Sequence, residues 1–302
     1  MSAPSPRASA AAAPDLGRAA GALADWFARV GRDLPWRGAN PWGVLVSEVM
    51  LQQTPVDRVL PVWRDWMARW PAARDLAAED PGEAIRAWGR LGYPRRALRL
   101  HAAAAAIVER HDGLVPDDEQ ALLALPGIGH YTAGAVLAFA FGRPTLALDT
   151  NVRRVLARHD DGIEFPGASV TSRERQRAAD LQPESGGAEW MAALMELGAL
   201  VCTSRGPDCD SCPVSAGCAW RALGKPRGTA ARRQPKYEGS DRQARGAIMA
   251  VLRDSAGPVT GRALDAAWPD AQQRARALDG LVADGLVMPL SRGRWSLPTS
   301  TT

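Results

Sequence analysis

All four cysteines of this 302-residue chain fall within 17 residues, as Cys202, Cys209, Cys212 and Cys218 in the spacing C-x6-C-x2-C-x5-C. This cluster constrains the chain more than any other feature, because four thiols in one short loop have few physical uses. A disulfide framework belongs to small secreted domains. Structural zinc usually takes two paired knuckles, and only Cys209–Cys212 is a C-x-x-C pair. Four thiolates with no histidine between them suit a cubane [4Fe–4S] cluster, with zinc as the alternative. Such a cluster would lock a loop whose own residues bury no core, so its expected role is structural.

Composition agrees with an intracellular setting. Hydrophobic residues make up 46% of the chain and charged residues 23%, with no apolar run long enough to span a bilayer. Met1 to Pro14 is a tail of Ala, Ser and Pro that lacks the apolar core of a signal peptide and reads as disordered. Net charge is only +4, but the basic residues are unevenly placed. Arg221, Lys225, Arg227, Arg232, Arg233 and Lys236 follow one another with no acidic residue between, which suits a phosphate backbone or a solvated linker. Lys225 and Lys236 are the only lysines among 37 basic residues.

Helical periodicity dominates the first 220 or so residues. Leu16 to Val30, Val44 to Leu51, Val59 to Trp70, Gly82 to Gly89, Arg95 to His111, Asp118 to Leu125 and Tyr131 to Gly142 each carry apolar residues at helical spacing, mostly separated by Pro, Gly or Asn. Trp63, Trp66 and Trp70 form a stripe that reads as core. The class is all-α. After the basic stretch, three helices are expected at Asp241 to Arg253, Gly261 to Trp268 and Ala271 to Asp284. A hairpin should follow, pairing Leu286–Met288 with Arg294–Leu297. That order suggests a small winged-helix-like module.

Two carboxyls stand out. Glu48 shares its helix face with Val44, Leu45, Leu51 and Gln52. A carboxyl there loses hydration, so its pKa should rise and leave it able to donate a proton. An ordinary buried glutamate bonded to backbone or to Gln52 is the plainer reading. Asp149 sits where a helix N-cap belongs, before Thr150 to Arg158. Between them, Leu125-Pro126-Gly127-Ile128-Gly129 links two helices, and its open amides at the next helix start fit a phosphate. Alone, such a link is usually just a turn.

Together these segments resemble the adenine DNA glycosylases of the MutY family, within the helix-hairpin-helix superfamily. The resemblance rests on Ser47-Glu48-Val49-Met50-Leu51-Gln52-Gln53-Thr54, Gly89 to Tyr93, Leu125 to Ala135, Asp149 to Arg158 and the cysteine spacing, and covers about residues 20 to 220. It implies two helical domains with DNA in the cleft between them. Residues 15–35 and 150–220 would form an iron–sulfur domain, and 36–149 a six-helix barrel carrying the hairpin. A basic linker would span 221–240 and the small module 241–302. It further implies excision of adenine opposite 8-oxoguanine or guanine in double-stranded DNA by a monomeric, cytoplasmic, nucleoid-associated bacterial enzyme.

The resemblance also distributes roles. Glu48 would protonate the purine ring, Asp149 would stabilise the oxocarbenium-like sugar, Tyr131 would hydrogen-bond in this site, and Asn151 would hold the carboxylate. Gln52 and Tyr93 would occupy the stack near the lesion, Trp36 and Arg37 would lie near the adenine pocket, and Gly127, Gly129 and His130 would contact the backbone. The four cysteines would hold [4Fe–4S]. Related enzymes that also cut the strand use a lysine just after the hairpin. Tyr131 stands there in this chain, and no lysine precedes residue 225, so base excision without efficient strand cleavage is expected.

Three departures qualify the match. Pro94 follows Tyr93 where the family has a second tyrosine, Pro55 follows Thr54 where relatives often carry a polar residue, and the region after Trp220 is too short for the NUDIX-like domain of many members. The competing readings are a thymine glycosylase acting on G·T mismatches, a non-catalytic iron–sulfur DNA-binding protein, and a zinc-dependent transcription factor.

Overall fold

The structure, a computed structural model, describes residues 16–229 and 236–300. The tail from Met1 to Pro14 and the linker residues Arg232 and Arg233 lie outside the described residues. The chain opens with α1 (Ala20–Val30), α2 (Pro41–Leu51), α3 (Val56–Arg69), α4 (Ala73–Ala77), α5 (Pro81–Trp88), α6 (Arg95–His111), α7 (Glu119–Leu123) and α8 (His130–Phe141). Then come α9 (Thr150–His159), α10 (Ser172–Asp180), α11 (Gly187–Leu200) and α12 (Ala219–Ala222). The C-terminal part holds α13 (Asp241–Asp254), β1 (Val259–Thr260), α14 (Gly261–Ala267), α15 (Ala271–Ala283), β2 (Met288–Leu290) and β3 (Arg294–Ser296). The all-α class is as expected, and no described helix is long and apolar enough to cross a membrane. By internal contacts the chain divides into two units, residues 16–34 with 137–229 and residues 35–136 with 236–300.

In the first unit α1 and α9 pack on α11, and α12 packs on α9. The approach of α9 to α11 is close because Gly198 has no side chain: a Cβ there would stand 2.7 Å from Asn151 Cβ and 2.8 Å from its carbonyl oxygen. Glu196, also on α11, is buried, and a buried carboxylate needs its charge compensated. Arg32 compensates it, donating from its backbone N, Nε and Nη2 at 2.8 Å each.

In the second unit α2 is the central helix. Every residue from Trp42 to Met50 is buried, and a helix apolar all round has no face to give to water. Its start is fixed by Asn40, whose side chain accepts from Gly43 N at 2.8 Å, with Pro41 in the first turn. The tryptophan stripe packs as core. Trp66 meets Trp70 and Trp88 edge-on at 4.7 and 5.8 Å, while Trp63 Nε1 donates to Gly43 O.

The C-terminal part has the helix–strand–helix–helix–hairpin order of a winged helix, with an antiparallel sheet in the order β1-β3-β2. Leu286 and Val287 fall before the strand, not in it: both are buried, and Leu286 N bonds back to Leu281 O at the end of α15. The part is fastened to α5. Gly82 N donates to Pro298 O at 2.7 Å, Ser300 N to Asp80 Oδ1 at 2.7 Å, and Arg86 Nη1 to Ser255 O at 2.8 Å and to Arg253 O. A side chain on Gly82 would meet Pro298 O at 2.7 Å, so this seam requires glycine.

Candidate active site

Glu48 lies in the buried middle of α2, only 4% exposed. The phenol of Tyr131 reaches it, donating from OH to Glu48 Oε2 at 2.6 Å. Tyr131 is the second residue of α8, and the turn before that helix sets its position. Gly127 carries φ +79, a conformation that favours glycine, and its missing Cβ would stand 2.7 Å from Arg99 Cβ. Gly129 has open space around it, so only one of the two turn glycines is demanded by packing. His130 is exposed, with Nδ1 3.6 Å from Glu119. Gln52, one turn beyond Glu48, donates from Nε2 to Thr132 Oγ1 at 3.3 Å.

A residue that sequence reasoning missed organises this region. Arg96 Nη1 donates to the carbonyls of Val49, Met50 and Gln52 at 2.9, 3.0 and 2.5 Å, and Nη2 to Thr54 Oγ1 and Gly92 O at 3.0 and 3.1 Å. A cation on the last carbonyls of a helix satisfies groups that have no intrahelical partner and complements the dipole. Burial lowers the Arg96 pKa to about 10, which still leaves it charged near neutrality. The guanidinium also lies over the Trp88 and Tyr93 rings, at 5.1 and 5.7 Å. Gln53 and Tyr93 both adopt positive φ, 55 and 47, which costs a non-glycine residue roughly 1–2 kcal/mol. Arg96 binds the turn beside each. The available signal was its place on the Leu100, Ala103 and Ile107 face of α6, where a charge is out of pattern.

Tyr93 itself is 49% exposed. Trp36 sits in a single 3-10 turn (Pro35–Gly38), buried and edge-on to Trp63 at 5.8 Å, with Arg37 exposed beside it.

Asp149 belongs to the other unit. It caps α9: Oδ1 accepts from Asn151 N at 2.9 Å and Val152 N at 2.7 Å, and Oδ2 from Asn151 Nδ2 at 2.8 Å. Burial raises its pKa, while those donors and the Arg154 guanidinium pull the other way, and burial prevails. The capping aspartate is therefore also a carboxyl withdrawn from water. Asn151 Oδ1 accepts from Arg154 Nη2 at 2.9 Å, and Arg154 continues to Gly198 O at 2.6 Å and to Cys202 O at 2.7 Å. One chain of hydrogen bonds thus joins Asp149 to the first cysteine.

The four cysteines line a small cavity together with Arg158 and Trp220. Arg158 is almost fully buried, lies over the Trp220 ring at 4.6 Å, and donates to Thr203 O at 2.8 Å and toward Cys202 Sγ at 3.5 Å. Burial pushes the Cys212 thiol up to about 11 and raises Cys218 as well. Among the described residues, no three His, Cys, Asp or Glu side chains form a group placed to hold a metal ion.

Residues 46–179 match the family model for HhH-GPD superfamily base excision DNA repair proteins. The chain is 51% identical over 278 residues to an adenine DNA glycosylase of Mycolicibacterium smegmatis, covering 91% of this chain and 94% of that one. Against the adenine DNA glycosylase of Mycobacterium tuberculosis H37Rv it is 49% identical over 281 residues, 91% of this chain and 92% of that one. Among solved structures, a thermostable thymine-DNA glycosylase superposes with TM-score 0.61 at 26% identity, covering 68% of this chain and 95% of that one. An endonuclease III in a non-covalent DNA complex superposes with TM-score 0.60 at 23% identity, covering 70% and 97%, which extends the likeness in fold. With that identity over nearly the whole length of its relatives, the chain belongs to the adenine DNA glycosylase family.

Proposed function

We propose that the chain is a monofunctional DNA glycosylase that excises adenine mispaired with 8-oxoguanine or guanine from double-stranded DNA, acting as a monomer in base excision repair. The observation that carries the chemistry is the Glu48–Tyr131 hydrogen bond inside an otherwise apolar helix. A base in the stack is out of reach, so the adenosine must be flipped out first. Glu48 then donates its proton to a purine ring nitrogen. The C1′–N9 bond breaks, its electron pair leaves with the base, and water adds at C1′ while releasing a proton. Asp149 faces the developing positive charge on the sugar as an anion, held by Asn151 and its two backbone donors. Proton donor and anion parallel the two carboxyls of glycoside hydrolysis.

The remaining roles follow the same reading. Gln52 and Tyr93 enter the stack beside the lesion, with Arg96 holding both turns. Trp36 and Arg37 border the adenine site, Trp36 as a packed wall and Arg37 as its exposed edge. Gly127, Gly129 and His130 meet a phosphate at the α8 start. Tyr131 stands just after the hairpin and no lysine precedes residue 225, which supports excision without efficient strand cleavage.

Cys202, Cys209, Cys212 and Cys218 would hold a [4Fe–4S] cluster. What supports it is that all four thiols, with no histidine among them, line one small cavity. When bound, the cluster supplies a crosslink for residues 202–218. The chain's own residues do the rest, since Arg154 carries the position of the Cys202 carbonyl to Asn151.

The test is single-turnover base release from duplexes carrying A opposite 8-oxoguanine, A opposite G, A opposite C and T opposite G. Fast release opposite the two guanines, without a borohydride-trapped adduct, is expected. Thymine release alone would move the chain to the thymine class. An absorption band near 400 nm in anaerobically purified protein tests the cluster.

A further inference from the structure

The C-terminal part carries arginines that no neighbour neutralises, and they gather at one end of its sheet. Arg294 opens β3 and pairs in register with Thr260, while Gly261 N donates to Gly293 O at 3.1 Å. That pairing sets Arg262, the second residue of α14, beside the hairpin turn Ser291-Arg292-Gly293. Arg262, Arg292 and Arg294 are all exposed, and among the described residues none makes an ion pair. Three other arginines of this part behave differently. Arg245 pairs with Asp284, Arg274 with Asp265 at 2.9 Å, and Arg276 with Asp241 at 3.6 Å.

We infer that this hairpin is a second DNA-contacting surface, binding the phosphate backbone of the duplex through Arg262, Arg292 and Arg294. Three unneutralised guanidiniums on adjoining turns match a row of phosphates, which guanidinium binds in a fork. The exposed face of α15 is a poor alternative: Arg276 and Asp279 cancel, and Asp241 beside them leaves the face net negative. A helix reading bases needs free side chains that reach base edges, and Arg276 on this face is already held by Asp241. The contact is therefore made by the hairpin rather than the helix, and it adds affinity without sequence preference. The hairpin is also held firmly. The chain leaving β3 is stitched to α5 by the Gly82–Pro298 and Asp80–Ser300 bonds. A contact made there acts on the body that carries Glu48 instead of on a free tail.

The inference rests on the reading that the substrate is duplex DNA, and binding is measured directly so that it stays legible even if adenine release fails. The full chain with Arg262→Gln, Arg292→Gln and Arg294→Gln together is compared with the unchanged protein on a matched duplex and on an A·8-oxoguanine duplex, from 50 to 200 mM salt. The slope of log K against log salt should become shallower by about 2–3, with affinity at low salt down at least ~10-fold on both duplexes. The same three positions changed to Lys should restore most of the slope, which a fold defect would not allow. A shorter hydroxyl-radical footprint on one flank is expected with the Gln variant. Unchanged slope and footprint in a Gln variant with the original thermal midpoint would overturn the inference and leave the part as a docking surface for protein.

Discussion

Glu48 and Asp149 are both carboxyls withdrawn from water, yet the backbone treats them in opposite ways. Glu48 sits in mid-helix, where every backbone N–H of the turn is already spent, and meets the phenol of Tyr131. Asp149 sits at the open start of α9, where two N–H groups and an amide side chain point at it and the helix dipole favours a negative charge. The contrast teaches that backbone position, more than residue type, decides which of two buried carboxyls finds ready donors for a negative charge. It also explains why burial still raises Asp149 in spite of its donors: the side chain is deep enough for desolvation to outweigh them.

The largest effect that could break this contrast is expected from Glu48→Gln. The amide keeps the shape but carries no transferable proton, so single-turnover adenine release should fall by about 10²- to 10⁴-fold while duplex binding persists. Asp149→Asn should fall as far for another reason, since Asn still caps a helix and the fold survives, but the anion is gone. A Glu48→Gln enzyme within tenfold of the original would remove Glu48 from the chemistry. The two also separate by pH. The Asp149 pKa is raised, so as pH falls the anion is lost above the ordinary Asp value of 3.8, and excision should decline along that limb. The sign for stability is the reverse: a raised folded pKa stabilises most below the unfolded pKa, and the benefit disappears as pH rises through the folded one. Asp149→Asn should erase both dependences.

Next in size is Gly198→Ala. The added methyl meets Asn151 at 2.7–2.9 Å, including backbone, so α9 and α11 must part. Overpacking of this kind costs about 1–3 kcal/mol, read as a drop in thermal midpoint. Because Asn151 holds Asp149, release should slow as well. The equivalent insertion in the second unit, Gly82→Ala, loosens the C-terminal part from α5 and should destabilise without moving Asn151.

How much of this was legible follows from what sequence can encode. The α6 helix begins and ends where expected, Arg95 to His111, because Pro94 precedes it and Asp112 turns left-handed after it. The tryptophan stripe announces a core, and the cap at Asp149 announces α9. Local signals fail for β1, whose two residues have no periodicity, and for α10 and α11, which the helical reading left without boundaries. They fail more fundamentally for Arg86, which holds carbonyls more than 160 residues away, and for Arg154, whose link from Asn151 to Cys202 exists only after α9 and α11 pack. The candidate site residues were read by likeness to a family. Their hydrogen-bond partners come from tertiary packing, which no single segment records.

The smallest effect sharpens the contrast most. Tyr131→Phe removes one O–H from Glu48 and leaves the ring in place, so the lost hydrogen bond is worth about 0.5–1.5 kcal/mol, or up to roughly tenfold in rate. Asn151→Ala removes the matching side-chain donor from Asp149 but leaves two backbone donors, and it also strips Arg154 of an acceptor. If Glu48 works as a proton donor, the phenol orients the carboxyl, and losing it should lower the maximal rate with little change in the acid limb. If Glu48 works instead as an anion, the phenol stabilises its charge, and Tyr131→Phe should shift the pH profile upward as Asn151→Ala shifts it through Asp149. Parallel shifts in the two variants would mean that both carboxyls serve as anions and that the proton comes from elsewhere.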